Sequence, residues 1–173
     1  MSQFLLKNID IVLTPESIKN AIDEINRLND DLSRALAMLA AKLMEQGVEV
    51  AKMEVAQMSA VYTGDLYENI FGFYNETTHT GVIFVDESVK YAVYVEYGTG
   101  MVGAWNPHPQ AGELGINYGA NHGYEGWVYK NDRDGEWYWT RGMPARPFMY
   151  NTMRDLEVEA ERRGGRIIAE YIP

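Results

Sequence analysis

The side chains able to carry chemistry are few and scattered. The chain has three histidines, His79, His108 and His122, and no cysteine. Without thiolates there is neither a disulfide framework nor a Cys-ligated zinc site, so metal chemistry would need imidazole and carboxylate together. His108 and His122 with Glu113 or Glu125 form one such combination, suited to zinc and through it to a small hydrolase or nuclease. Its spacing argues against it, because the two histidines stand 14 positions apart in glycine-rich chain and metal ligands need a rigid scaffold. His79 lies between Thr78 and Thr80 at an expected hairpin tip, where solvent exposure is the default. None of Ser2, Ser17, Ser33, Ser59 or Ser88 stands in a Gly-x-Ser-x-Gly turn. Gly98-Thr99-Gly100 follows a helical pattern instead of a strand and lacks a Gly-Lys-Ser/Thr ending, so helix capping explains it better than a phosphate cradle. Among 25 acidic residues no pair is singled out for glycosidase-type catalysis. The expectation is a protein that is not an enzyme, with no cofactor and no resident metal.

Aromatic side chains are the more informative class. Eleven of the 21 fall between Tyr91 and Trp139, interleaved with Gly and Asn. On one reading Trp127, Trp137 and Trp139 are cross-strand pairs and core of a hairpin. On the other, an aromatic loop carrying Trp105 orders against a partner protein, since Tyr and Trp are enriched in interface cores. Stacking on single-stranded nucleic acid would use similar rings, but it also wants a basic groove, which residues 91–139 do not supply.

The elements that must position these residues are legible from periodicity. With 173 residues, 46% of them hydrophobic and 23% charged, one folded domain is expected. A long helix is predicted over about 14–59, with Thr14 as N-cap, Pro15 at the first helical position and Glu16 facing the positive end of the dipole. Its apolar residues Ile18, Ile22, Ile25, Leu32, Leu36, Leu39, Leu43, Val50 and Met53 follow a 4,3 spacing interrupted by Asn29 and Gln46. Asn on such a seam can fix coiled-coil register. Ala21, Leu28 and Ala35 nevertheless widen the stripe, which favours a helix lying on a sheet or in a bundle. Gly47 marks an expected bend or break.

The segment 62–141 follows with a different texture. Ile70–Tyr74 and Val82–Val85 alternate as an antiparallel hairpin, and a short helix over about 89–97 ends at Gly98, expected as a left-handed cap. Residues 98–126 hold 8 of the 16 glycines and read as an irregular insertion. Trp127–Lys130 and Glu136–Thr140 form a second hairpin around an Asp-Gly turn. A last helix is predicted over about 148–171, with Gly164-Gly165 a break. The fold class is α+β, the N-terminal and C-terminal helices packed on one antiparallel sheet of hairpins.

Charge excludes some partners. The net charge is −10, which disfavours a protein that grips phosphate with clustered Lys and Arg and one attracted to an anionic lipid surface. The longest apolar stretch, Ala35–Ala41, is far short of the ~20 residues that span a bilayer, and the first residues lack a secretory pattern. A cytosolic folding site and no membrane association are expected. An acidic binding module of the antitoxin type is suggested by charge alone.

Three strings carry a family resemblance: VYTGDLYENI at 61–70, YAVYVEYGTG at 91–100 and TRGMPARPFMYNTM at 140–153. Together, in this order and followed by a helix, they resemble a family of minor tail or neck components of long-tailed bacteriophages and prophages that act in head-to-tail joining. The matching residues are Thr63, Gly64, Leu66, Ile70, Tyr91, Ala92, Val95, Glu96, Gly98, Thr99, Pro144, Pro147 and Phe148. The resemblance implies a structural virion protein, assembled in the bacterial host cytoplasm and found in the neck or tail of the particle. It would form a closed ring by self-association and dock on connector or head-completion proteins and on the tail tube or tail terminator. DNA would pass nearby without specific binding.

The motif also has a reading from its residues alone. Tyr91, Tyr94, Val95 and Gly98 share one helical face, with Glu96 expected to point elsewhere. Pro144 and Pro147 hold the chain extended and deliver Phe148 to the core or to a neighbour. Candidate interface residues are Thr63, Gly64, Leu66, Tyr91, Tyr97, Gly98, Thr99, Gly100, Trp105, Pro144, Pro147 and Phe148, with the long helix. Residues 1–100 carry −8 and residues 101–173 carry −2, so an acidic half facing a channel would let DNA slide past.

Overall fold

The computed structural model describes residues 14–58, 64–120, 123–131 and 134–171. Thr63, His122 and Ser59, the last residue of the expected first helix, lie outside these. The order is α1 (Pro15–Gln57), α2 (Asp65–Glu68), β1 (Ile70–Asn75), β2 (Thr80–Val85), α3 (Ala92–Tyr97), α4 (Gly100–Trp105), β3 (Trp127–Lys130), β4 (Trp137–Thr140), β5 (Gly142–Met143) and α5 (Phe148–Tyr171). The class is α+β, with a long helix near each end of the chain. Its strands form two separate two-stranded antiparallel sheets, β1-β2 and β3-β4, instead of one. Two compact units result, one of residues 1–47, 72–83 and 154–173, the other of residues 48–71 and 84–153.

α1 begins as its sequence specifies. The Ser17 amide donates to Thr14 Oγ1 at 3.3 Å and the Thr14 amide to Ser17 Oγ at 3.4 Å, so two helix-start donors are satisfied reciprocally. The helix then runs unbroken through Gly47, so no break occurs there. Within the first unit a Cβ at Gly47 would overlap Ile83 Cδ1 and stand 2.7 Å from Leu156 Cδ1. The glycine therefore serves close approach of β2 and α5 to the helix, and tertiary packing outweighs its low helix propensity. Tyr74 Oη donates to the Ala37 carbonyl at 3.1 Å, holding the hairpin to the same stretch of α1. α5 likewise continues through Gly164-Gly165, where no break occurs.

The second unit holds most of the buried apolar side chains. Val50, Ala51, Val55, Leu66, Ile70, Val89, Ala92, Val95 and Phe148 are all buried, and they come from α1, α2, β1, α3, α5 and the turn before α3. The first turns of α1, in the other unit, keep Ile18, Ile22 and Ile25 exposed, so that part of the 4,3 seam is not core.

Segment 98–126 is less irregular than its composition suggests, because α4 forms within it. Thr99 and Gly100 bridge Met143 and Gly142, and the Val102 amide donates to the Arg141 carbonyl at 3.2 Å. Gly142 sits at φ +101°, and a Cβ there would run into the Thr99 carbonyl oxygen. Only glycine meets both demands.

Candidate functional site

The three sequence strings fold onto one another in the second unit. The Leu66 amide donates to Tyr91 Oη at 3.1 Å, joining the first string to the second. The Arg146 amide donates to the Val95 carbonyl at 2.8 Å, and the Met143 amide donates to Thr99 Oγ1 at 3.2 Å. These bonds join the second string to the third.

At their centre is Glu96, 6% exposed. α5 is preceded by Pro147, whose carbonyl accepts from the Asn151 amide at 2.9 Å. A proline at this position has no side-chain acceptor with which to cap the helix. Glu96 supplies one from α3: its Oε2 accepts from the Met149 amide at 2.9 Å and its Oε1 from the Tyr150 amide at 3.0 Å. The carboxylate thus sits at the positive end of the helix dipole. His108, 3% exposed, adds a third donor, its Nε2 lying 3.2 Å from Glu96 Oε1. His108 Nδ1 accepts from the Gln110 amide at 3.1 Å, which places the ring hydrogen on Nε2. Tyr97 and Tyr150 pack on the imidazole with centroids at 4.8 and 5.3 Å, and Tyr118 Oη accepts from the His108 amide at 3.0 Å.

This arrangement corrects the expectation that Glu96 points away from the packed face of α3; the buried residues of that helix are Ala92, Val95 and Glu96. Three donors make an inward carboxylate favourable where an unpaired one would be costly. It also changes the standing of His108 as a metal ligand, since both ring nitrogens are engaged inside the protein. Among the described residues no cluster of three or more His, Asp or Glu side chains is placed to hold a metal, and His122 lies outside them.

Beside this cluster opens a groove of about 670 Å³, walled by α3, β3, β5 and the turns at 114–118. Val93, Tyr94, Tyr97, Leu114, Ile116, Tyr118, Trp127, Tyr129 and Met143 line it, with Thr99 and Asn117 the polar side chains and no charged one. Tyr97, Gly98, Thr99 and Gly100 from the interface candidates lie on its wall. The chain turns into it at Gly98, whose φ of 76° is positive as expected but whose ψ of 172° is extended, not left-handed helical. A lining of this kind, apolar and aromatic with two polar side chains, suits apolar material.

The other candidates divide by burial. Leu66 and Phe148 are core, each 1% exposed; Gly64, Tyr91, Pro144 and Pro147 are half-buried; Trp105 is 65% exposed. Sequence reasoning missed the Glu96–His108 pair and the groove residues Leu114, Ile116 and Tyr118. The available signal was a helix opening after Arg146-Pro147 with no capping side chain of its own, which requires an acceptor from elsewhere. Among the described residues no helix is long and apolar enough to cross a membrane. No family model, no curated protein and no solved structure matches the chain.

Proposed function

We propose that this protein is a structural component of the neck or tail of a long-tailed bacteriophage or prophage, joining head to tail without bond-making chemistry. The observation that carries the reading is the convergence of the three strings. Residues 64–70, 91–99 and 143–150 hold one another through Tyr91, Thr99, the Val95 carbonyl and Glu96, so the residues that resemble the phage family work as one structural unit. Exposed large apolar side chains such as Trp105, Trp137, Trp139, Ile22 and Ile25 support a chain that completes its surface by association. The ring is the expected product: one surface binds a different surface on the next copy until rotation closes it. Connector or head-completion proteins and the tail tube or terminator are its proposed neighbours, with the acidic half of the chain toward the DNA channel.

Light scattering and electron microscopy of the purified protein, with and without isolated tail tubes, test this. Closed rings, or particles decorating tube ends or connectors, are expected. A strict monomer that decorates neither refutes the reading.

A further inference from the structure

We propose that the groove of the second unit takes residues 8–13 of a neighbouring copy, laid in it as an extended segment. The inference rests on the ring-forming reading above and names the two surfaces that meet. The groove holds about 670 Å³ and no charged side chain lines it. β3 gives it one face only, since Trp127 and Tyr129 line it while Val128 and Lys130 do not. On its other walls Val93 and Leu114 are 51% and 54% exposed, so the apolar lining is open to an occupant.

Length and patterning select the occupant. The segments outside the described residues are 1–13, 59–63, 121–122, 132–133 and 172–173, and the first is by far the longest. Its last six residues are Asn8-Ile9-Asp10-Ile11-Val12-Leu13. In an extended chain Ile9, Ile11 and Leu13 fall on one side, with Asn8 and Asp10 on the other. Helical spacing would instead send Ile11 to the side opposite Ile9 and Leu13. The extended run presents three apolar side chains over about 13 Å, a size that a cleft of several hundred Å³ accommodates. The uncharged lining suits that side, and the Asp10 carboxylate, pointing away, keeps its water. Segment and groove are different surfaces of one chain, so each copy offers both and the contact propagates from copy to copy.

The chain has no cysteine, which makes the test direct. Full-length chains carrying Leu114→Cys are mixed, under mild oxidation, with tagged full-length chains carrying Ile9→Cys, Asp10→Cys or Ile11→Cys. Mixed dimers are expected from Ile9→Cys and Ile11→Cys, and about tenfold fewer from Asp10→Cys, whose side chain points to the other side. Val93→Cys repeats the measurement from another wall should Leu114→Cys fail to fold. A chain carrying both Ile11→Cys and Leu114→Cys is expected to give a ladder of multimers. Ile9→Asp with Ile11→Asp, added to a chain carrying Leu13→Cys, is expected to lower its mixed product with Leu114→Cys at least about tenfold. Equal yields at the three positions, or no mixed dimer at all, overturn the proposal. So does a double variant that closes on itself as a cross-linked monomer, which would put the segment in its own copy's groove. Mixed cross-links in a protein that never meets a tail tube would leave this contact standing and remove the neck reading; decorated tubes without mixed cross-links would do the reverse.

Discussion

Replacing Glu96 tests the centre of the second unit most directly. In Glu96→Ala, three donors lose their acceptor at once: the Met149 and Tyr150 amides and His108 Nε2. The site is buried, and each unsatisfied buried donor costs about 1–3 kcal/mol. Water entering the vacated space recovers part of that, so a net loss of about 3–6 kcal/mol is expected, well above the ~1 kcal/mol of an ordinary exposed cap. For a chain of this size that corresponds to a fall in Tm of roughly 6–24 °C. Glu96→Gln keeps one acceptor oxygen but turns an amide NH2 toward another donor, and about 1–3 kcal/mol is expected. Should Glu96→Ala fail to fold, Glu96→Gln carries the measurement. Urea and thermal unfolding followed by tryptophan fluorescence and circular dichroism give both values. A double-mutant cycle with His108→Ala should show coupling of at least about 1 kcal/mol. Both Glu96 variants within about 0.5 kcal/mol of the parent would refute the capping argument.

The glycines give a paired prediction. Gly164→Ala and Gly165→Ala meet open space in an unbroken helix and should each raise stability by about 0.5–1 kcal/mol, whereas Gly47→Ala meets Ile83 and Leu156 and should lower it by about 1–3 kcal/mol; thermal scans decide the sign. Gly142→Ala faces the Thr99 carbonyl at a positive φ and should cost about 1–3 kcal/mol, with hydrogen exchange accelerating at the Met143 amide that donates to Thr99. The Asp86 carboxyl is held below its ordinary value of 3.8 by hydrogen bonds from the Ser88 hydroxyl and then the Ser88 amide, burial opposing slightly. Its contribution is present above that ordinary value and is lost as pH falls through the depressed one. An NMR titration of the carboxyl carbon should show the depressed midpoint, and Ser88→Ala should move it up.

Much of the fold is legible in local sequence signals. The 4,3 apolar spacing and Thr14-Pro15 specify α1, alternation and the Asp-Gly turn specify the β3-β4 hairpin, and the prolines place Phe148 at the start of α5. Each of these signals lies within a few residues of what it determines. The errors at Gly47 and in the sheet share one cause. Gly47 and Gly164-Gly165 read as helix breaks because propensity is scored on the chain alone, yet Gly47 answers to Ile83 and Leu156 across the first unit. Two hairpins suggested one sheet, but strand pairing beyond a hairpin depends on what lies against each edge, and β1-β2 and β3-β4 form two separate sheets.

The clearest division is at Glu96. Sequence alone determined that it sits on a short helix ending at Gly98 and that a helix opens after Pro147. That Glu96 turns inward was decided only by tertiary structure. The amides that need an acceptor are those of Met149 and Tyr150, 53 and 54 residues further along, and folding brings a buried imidazole to complete the site. A carboxylate goes where donors are gathered, and helical periodicity cannot report donors that a different part of the chain supplies.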